Sequence, residues 1–414
     1  MSAVSNQAEF DLKVDGLVYG GSGIARAPDG RAVFIPFVLP GEFVRVKILE
    51  EKTGFMKAEI VEVLESSPDR IQPRCRHFGV CGGCNYQHIP YSKQVEIKKN
   101  ILFEQLVRLG RLGCPKISQV ISSNSQWNYR NAIQFHLSQS GRLGFEKFSS
   151  HDTLEIQECH LPCAGLNNLW PQLEFDELQE IERIELRQGK DEEILMVLHS
   201  SNPVPPEFVT DLPISVVHLS PPGSIILAGD DHMLMQVLSK TFRVSAGAFF
   251  QVNTFIAEQL VQTLFSRVHL NNKMNVLDLY CGVGLFSKFL ADQVGRCIGI
   301  EGSSVACQDY AMNLDDCNNV ELYEGAVEEI LPNLTIKAEL VIVDPPRNGI
   351  HPKALAGICT LSPEQIVYIS CNPATLARDA KKLIEAGYDL TETILLDMFP
   401  QTYHIESINF FKQK

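Results

Sequence analysis

The chain has 414 residues, 45% of them apolar and 21% charged, which is the balance of a globular protein with two or three domains. No apolar run approaches the ~20 residues of a membrane span, and "MSAVSNQAEFDL" lacks the basic start and apolar core of a secretion signal. A cytoplasmic location is therefore expected, and the twelve cysteines point to metal or catalytic roles rather than disulfides. The net charge of −14 is unevenly spread: residues 1–131 carry +4 and residues 132–414 carry −18. The N-terminal third can therefore face a phosphate backbone while the acidic remainder faces solvent.

Residues 8–65 read as a small β-barrel. "LVYGGSGIAR", "RAVFIPFVL", "EFVRVKILEE" and "FMKAEIVEVLE" are β-branched and aromatic runs broken by Gly, Pro and Asp-Gly turns. Barrels of this size often bind oligonucleotides. A cysteine-rich segment follows, then an amphipathic helix in "YSKQVEIKKNILFEQLVRLG" with Val95, Ile97, Ile101, Leu102, Leu106 and Leu109 on its apolar stripe. Residues 125–245 mix strands and loops, and 152–231 hold 16 acidic residues against 3 basic ones. From about 246 onward, strands expected at 275–280, 297–301, 320–324, 339–344 and 365–370 alternate with helices, which argues a parallel α/β sheet. Strands at 390–397 and 404–411 follow one another and finish it as an antiparallel hairpin.

Four stretches carry chemistry. In Cys75-x5-Cys81-x2-Cys84 the Cys-Gly-Gly-Cys core brings two thiolates onto one ion or cluster. The spacing fits zinc or iron–sulfur equally. Cys159 is the preferred fourth ligand over Cys163, with His77 and His88 as lesser candidates. "NVLDLYCGVGLFS" runs a strand into a glycine turn and a helix, aiming backbone N–H groups at a ligand. The Asp-x-x-x-Gly-x-Gly form, Asp278 to Gly284, suits a nucleoside cofactor without a pyrophosphate, namely S-adenosylmethionine, and Glu301 at the next strand tip is placed to hold ribose hydroxyls. "LVIVDPPRNG" puts Asp344 at a strand end before a rigid proline wall. "IVYISCNPATLARD" ends a core strand on Cys371 and opens a helix at Asn372-Pro373.

"SAGAFFQVN", "DLYCGVGLFS", "DPPRNG", "YISCNPATLARD" and "DMFPQTYHIE" stand in the order found in RNA uracil-5-methyltransferases, and the chain resembles that family over almost its whole length. The barrel resembles the family's RNA-binding TRAM domain. The cysteines resemble the four-cysteine [4Fe–4S] site of its ribosomal-RNA branch.

The resemblance implies three parts: a TRAM-like barrel at 1–66, a central α+β domain with the iron–sulfur site at 67–245, and a class I, Rossmann-like methyltransferase domain at 246–414. Cys371 is implied as the nucleophile that adds to uracil carbon 6, with Glu406 as the base that removes the carbon 5 proton. Gln251, Tyr280, Glu301 and Asp344 are implied for the cofactor pocket, and Cys75, Cys81, Cys84 and Cys159 for the cluster. Phe249 is divided between stacking on a flipped base and core packing. His404 is read as structural. Arg347 is divided between an RNA phosphate and a neighbouring acid. Arg74, Arg76, His77, Lys98 and Lys99 are expected to grip an RNA backbone.

The expected activity is methylation of carbon 5 of a uridine by a monomer. 23S rRNA is the favoured target and a transfer-RNA T-loop the alternative. A non-catalytic RNA-binding factor and a cytosine-5 methyltransferase are rivals, which the intact Cys371, Glu406 and Asp344 and the "DPPR" form argue against. A nicotinamide oxidoreductase would want a fuller glycine fingerprint.

Overall fold

A computed structural model describes residues 9–138, 140–173, 175, 180–207 and 209–414. The described residues fall into two compact units. The first comprises residues up to 102 with Glu146–Asp152 and Phe399–His404; the second comprises Phe103–Phe145, Thr153–Met398 and Ile405–Lys414.

The first unit opens with strands β1 (Glu9–Leu17), β2 (Ser22–Arg26), β3 (Ala32–Pro36), β4 (Phe43–Glu51) and β5 (Phe55–Glu65). They close as a barrel in the order β1-β2-β3-β5-β4. Alternating residues fill it, among them Val14, Val33, Ile35, Val44, Val46 and Met56. The alternation in the sequence is thus the pleat of strands with one buried face. Gly23 is required by close approach, because a Cβ there would lie 2.2 Å from Val38 Cγ2.

The barrel is joined to the following segment through one buried carboxylate. Glu42 is fully buried, accepts the Leu39 N–H at 2.8 Å and the Ser67 N–H at 3.2 Å, and pairs with Arg70 at 2.6 and 2.8 Å. Burial alone would raise its pKa. The hydrogen bonds from Arg70, Leu39 and Ser67 outweigh that and hold it below the usual carboxylate range.

Helix α1 (Tyr91–Arg108) buries Ile101, Leu102 and Leu106 as its stripe requires, while Leu109 lies beyond its end and is exposed. Lys98 corrects one expectation. It is fully buried, and its ammonium donates to the Phe399 carbonyl at 2.8 Å, so it is not available to a phosphate. Lys99, Arg74 and Arg76 are exposed. Strand β6 (Ile117–Ile121) follows in the second unit.

The second unit holds two large sheets. Strands β7 (Ala132–Leu137), β8 (Leu143–Glu146), β9 (Thr153–Glu155), β10 (Ile181–Gln188), β11 (Ile194–Ser200), β12 (Ser215–Ser220) and β13 (Gly223–Ala228) are ordered β13-β12-β11-β10-β7-β8-β9. Helix α2 (Ala164–Leu169) packs on this sheet through Leu166 and Leu169. The acidic 152–231 stretch therefore builds most of a sheet. One of its carboxylates, Glu185, is turned inward against Arg187 at 2.8 Å and His199 at 3.2 Å. A hairpin of β14 (His232–Val237) and β15 (Lys240–Ser245) leads to helix α3 (Thr254–Arg267).

The alternating region then runs β16 (Asn275–Leu279), α4 (Leu285–Leu290), β17 (Arg296–Glu301), α5 (Ser304–Asn313), β18 (Val320–Glu324), α6 (Val327–Ile330), β19 (Leu340–Val343), α7 (Pro352–Leu361), β20 (Gln365–Ser370), α8 (Pro373–Glu385), β21 (Tyr388–Leu396) and β22 (Glu406–Gln413). The expected strands all form. Their eight-stranded sheet has the order β18-β17-β16-β19-β20-β22-β21-β6. Strands β16 to β20 are parallel, and β22 inserts antiparallel between β20 and β21. Strand β6, more than a hundred residues upstream, extends the sheet beside β21, a pairing that local pattern could not announce. Positions 66 and 245 lie inside the first and second units respectively. Among the described residues no helix is long and apolar enough to cross a membrane.

Replacing Glu42 with Gln should destabilise the protein by about 2–3 kcal/mol, because Arg70 loses its counter-charge and a buried acceptor is weakened. Glu42 has a depressed pKa when folded. Its contribution is therefore present above the unfolded carboxylate value of about 4.3 and disappears as pH falls through the folded value. Denaturant melts of wild type and Glu42→Gln should differ at pH 7 and converge in acid.

Candidate active site

Strand register gathers the site. Leu279 pairs with Ile300 on one side and Val343 on the other, so Tyr280, Glu301 and Asp344 leave the sheet at one edge. Val343 pairs with Tyr368, which carries Cys371 past the same edge on the next strand. Ser370 pairs with Ser407, and one step further brings Cys371 opposite Glu406. A parallel sheet presents its carboxyl ends on one side, which is where ligands of such folds bind. The antiparallel β22 adds its amino end to that side.

The glycine turn is built as its sequence requires. Tyr280, at φ 61°, and Cys281 both donate their N–H to the Ile300 carbonyl, at 2.9 and 3.2 Å. Gly282 has φ 53°, and no atom lies within 4 Å of where its Cβ would be, so the space beside it is open to a ligand. Glu301 accepts the Gly282 N–H at 2.9 Å and the Ser303 N–H at 2.7 Å, which fixes its carboxylate at the rim. Each carboxylate oxygen keeps a second lone pair for a ribose hydroxyl. Beneath the turn Asp278 is fully buried and accepts the Ser287 N–H at 3.0 Å and hydroxyl at 2.6 Å. Its other oxygen has no partner. Burial, opposed by the Ser287 hydrogen bonds and aided by the Glu301 charge, pushes Asp278 up to about 7. The open turn, the rim carboxylate and the desolvated acid below fit the nucleoside end of S-adenosylmethionine.

Cys371 stands just before helix α8. Asn372 caps that helix by accepting the Ala374 N–H at 3.0 Å, and Pro373 occupies its first position, where no N–H is needed. The Ser370 hydroxyl donates to the Asn372 carbonyl at 3.0 Å and accepts the Asn372 N–H at 3.2 Å, so the residues flanking the sulfur are fixed. Burial, followed by the charges of Glu406 and Asp344, pushes the Cys371 thiol up to about 12 against the pull of Arg347. Glu406 is 5% exposed, and burial with the Asp344 charge raises it well above the ordinary range. Asp344 is pushed up to about 7 by burial and by Asp278. Cys371, Glu406, Asp344 and Asp278 are thus one cluster of acids in a poorly solvated place.

Gln251 and Phe249 lie on the segment between β15 and α3. Phe249 is 71% exposed, which removes core packing as its role; its neighbour Phe250 is the ring that packs, 5.8 Å from Phe242. The Gln251 carbonyl accepts the Asn131 side-chain N–H at 3.0 Å. His404 packs against Tyr403 and Phe399, with ring centres 4.4 and 5.4 Å away.

A family model described as tRNA (Uracil-5-)-methyltransferase matches residues 212–414, and the TRAM domain model matches residues 6–61. An uncharacterized RNA methyltransferase of Aquifex aeolicus (strain VF5) is 34% identical, covering 97% of this chain and 98% of the relative. The chain belongs to the RNA (uracil-5-)methyltransferase family. A second relative, an uncharacterized RNA methyltransferase of Thermotoga maritima, is 30% identical and covers 96% of this chain and 97% of the relative. Among solved structures, the Pyrococcus abyssi tRNA (uracil-54, C5)-methyltransferase in complex with S-adenosyl-L-homocysteine shares the fold. Its TM-score is 0.73 at 23% identity, covering 97% of this chain and all of that one. The protein is therefore an RNA methyltransferase.

The methyltransferase also carries the cysteine segment in its first unit. Cys81 accepts the Gly83 N–H at 3.4 Å. Burial raises its pKa, the Gly83 bond lowers it, and the charge of nearby Cys75 raises it again. A backbone N–H aimed at sulfur is what steadies a cluster thiolate. Cys84 is buried. His88 is buried too. Its Nε2 lies 3.4 Å from the Val38 carbonyl, and burial lowers its pKa to about 4, so it serves the core. In the second unit the Cys163 thiol donates to the Gln188 side chain at 2.8 Å. Among the described residues no group of three or more His, Cys, Asp or Glu side chains is placed to hold a metal ion.

The raised acids set a pH dependence. Asp344 binds its proton more tightly folded than unfolded, so its contribution to stability is full below about 4 and is lost as pH rises through about 7. Cofactor-free wild type should lose melting temperature between pH 5 and pH 8, and Asp344→Asn should flatten that loss in scanning calorimetry.

Proposed function

We propose that the enzyme methylates carbon 5 of a uridine in RNA through a covalent bond between Cys371 and carbon 6. The single observation that carries this reading is the register that sets Cys371 opposite Glu406 beside Asp344. S-adenosylmethionine supplies an electrophilic methyl group on a positively charged sulfur. Tyr280, Glu301 and the Gly282 turn would hold its nucleoside, with Gln251 and Asp344 toward the reacting end. The Cys371 thiolate adds to carbon 6, and the electron pair of the 5,6 double bond moves to carbon 5. Carbon 5 then takes the methyl group as the methyl–sulfur bond breaks. Glu406, as carboxylate, removes the carbon 5 proton. The pair released re-forms the double bond, the Cys371–carbon 6 bond breaks, and the thiolate leaves. A carboxyl with a raised pKa is a stronger base for that proton than an ordinary one. Arg347 and the amino end of α8 both favour the thiolate. Exposed Phe249 offers a face on which the flipped uracil stacks.

The cluster reading belongs here as well. A [4Fe–4S] cluster would be held by Cys75, Cys81, Cys84 and Cys159. The nearness of Cys75 to Cys81 and the Gly83 N–H on Cys81 support it, and the bond of Cys163 to Gln188 supports Cys159 as the fourth ligand. By resemblance, this cysteine set favours 23S rRNA as substrate. The solved structure that shares the fold is named for transfer RNA, so a T-loop uridine is the second reading.

The deciding assay uses 23S rRNA and transfer RNA transcripts with uridine tritiated at carbon 5. Tritium should be released to water from one of them, and Cys371→Ala should abolish the release. Glu406→Gln should slow it by about 10²–10⁴-fold while covalent protein–RNA adduct accumulates. Release that survives in Cys371→Ala would sink the covalent mechanism. Protein purified without oxygen should contain iron and acid-labile sulfide with a broad absorbance near 400 nm. That colour should vanish in Cys81→Ser and Cys159→Ser and persist in Cys163→Ser.

A further inference from the structure

The DPPRNG loop and the start of α8 are tied together by side chains that the chemistry above does not use. Asp379, on α8, is 1% exposed. Its Oδ2 accepts the Ile350 N–H at 2.9 Å and the Tyr368 hydroxyl at 3.0 Å, and its Oδ1 accepts Arg378 Nε at 2.8 Å. Three donors from a loop, a strand and a helix thus meet on one buried carboxylate. Arg378 also donates to the Asn348 carbonyl at 3.0 Å. One turn earlier, Asn372 and Thr375 donate to the Arg347 carbonyl at 3.1 and 3.3 Å. Gly349 is the close-approach point. Its φ is 75°, and a Cβ there would lie 2.6 Å from Asp379 Oδ2.

These ties bracket the sulfur. Tyr368 lies three residues before Cys371 on β20, Asn372 lies directly after it, and the loop they hold begins at Asp344. We propose that Asp379 is a positioning residue for methyl transfer, fixing the gap between the Asp344 wall and the Cys371 sulfur without touching either. The proposal rests on Cys371 being the nucleophile. An Asp379→Asn side chain keeps the shape but turns an N–H₂ toward one of the three donors, so at least one tie is lost. A misplacement of about 1 Å at a reacting centre costs about 100-fold in rate.

The test uses RNA in which the target uridine carries fluorine at carbon 5. Cys371 adds at carbon 6 and carbon 5 is methylated. Fluorine cannot leave as a cation, so Glu406 has no proton to take and the sulfur–carbon bond persists through denaturation. The rate of adduct formation is measured with saturating S-adenosylmethionine for wild type, Asp379→Asn and Tyr368→Phe. S-adenosylhomocysteine affinity and melting temperature are measured alongside. Asp379→Asn should slow adduct formation by about 100-fold, and Tyr368→Phe by less, with S-adenosylhomocysteine affinity kept within about threefold. Wild-type adduct rates per folded Asp379→Asn molecule, or slowing matched by lost cofactor affinity, would overturn the proposal. If Asp379→Asn does not fold, Tyr368→Phe decides, and a wild-type rate there overturns it. Wild type forming no adduct at all would bring down the nucleophile reading, and this proposal with it. That outcome is distinct from equal rates in wild type and variant.

Discussion

The site depends on register in a single sheet. Side chains at the ends of β16, β17, β19 and β20 meet only because the parallel ladder keeps those ends level. The decisive element is β22. By running antiparallel between β20 and β21 it sets its first residue, Glu406, against the residue that follows the last pair on β20, Cys371. A slip of one residue would turn Glu406 to the opposite face and leave the thiol without the carboxylate opposite it. Its pairing is secured by buried contacts along its length, since Ile408, Phe410 and Phe411 all lie in the core.

The electrostatics follow from that placement. Glu406, Asp344, Asp278 and Cys371 are brought close together in a poorly hydrated place where each charge makes the next harder to form. The positive groups that oppose this are Arg347 and the amino end of α8. A site with an excess of acids is poorly suited to an anionic cofactor and well suited to a sulfonium cation. Folding such a cluster costs stability, a cost that functional sites commonly carry and the surrounding structure offsets.

The parts legible in the sequence were those governed by local rules. Strand and helix alternation, the glycine turn and the Asn-Pro cap each have a short-range cause, and the strands expected from 275 onward form where pattern placed them. Parts governed by long-range pairing stayed hidden. Nothing in "KISQVI" says that it pairs with β21, and no local signal marks Lys98 as buried under the Phe399 carbonyl. Phe249 could be read either way, because an aromatic suits a core and a stacking surface equally. Asp379 did leave a trace. It lies at helical spacing from Leu376 and Leu383, both buried, so a carboxylate stands on the apolar face of α8. An acid in that position needs buried partners, and looking for them leads to Tyr368 and the DPPRNG loop.

The insertion of β22 also bears on how the protein is made. Synthesis delivers β16 to β21 first, and until Glu406–Gln413 emerges, β20 and β21 have no strand between them. Two unsatisfied edges then face a gap in the middle of the sheet, and the Cys371 thiol has no Glu406 carboxylate opposite it. Closing the sheet and bringing Glu406 opposite Cys371 are one event.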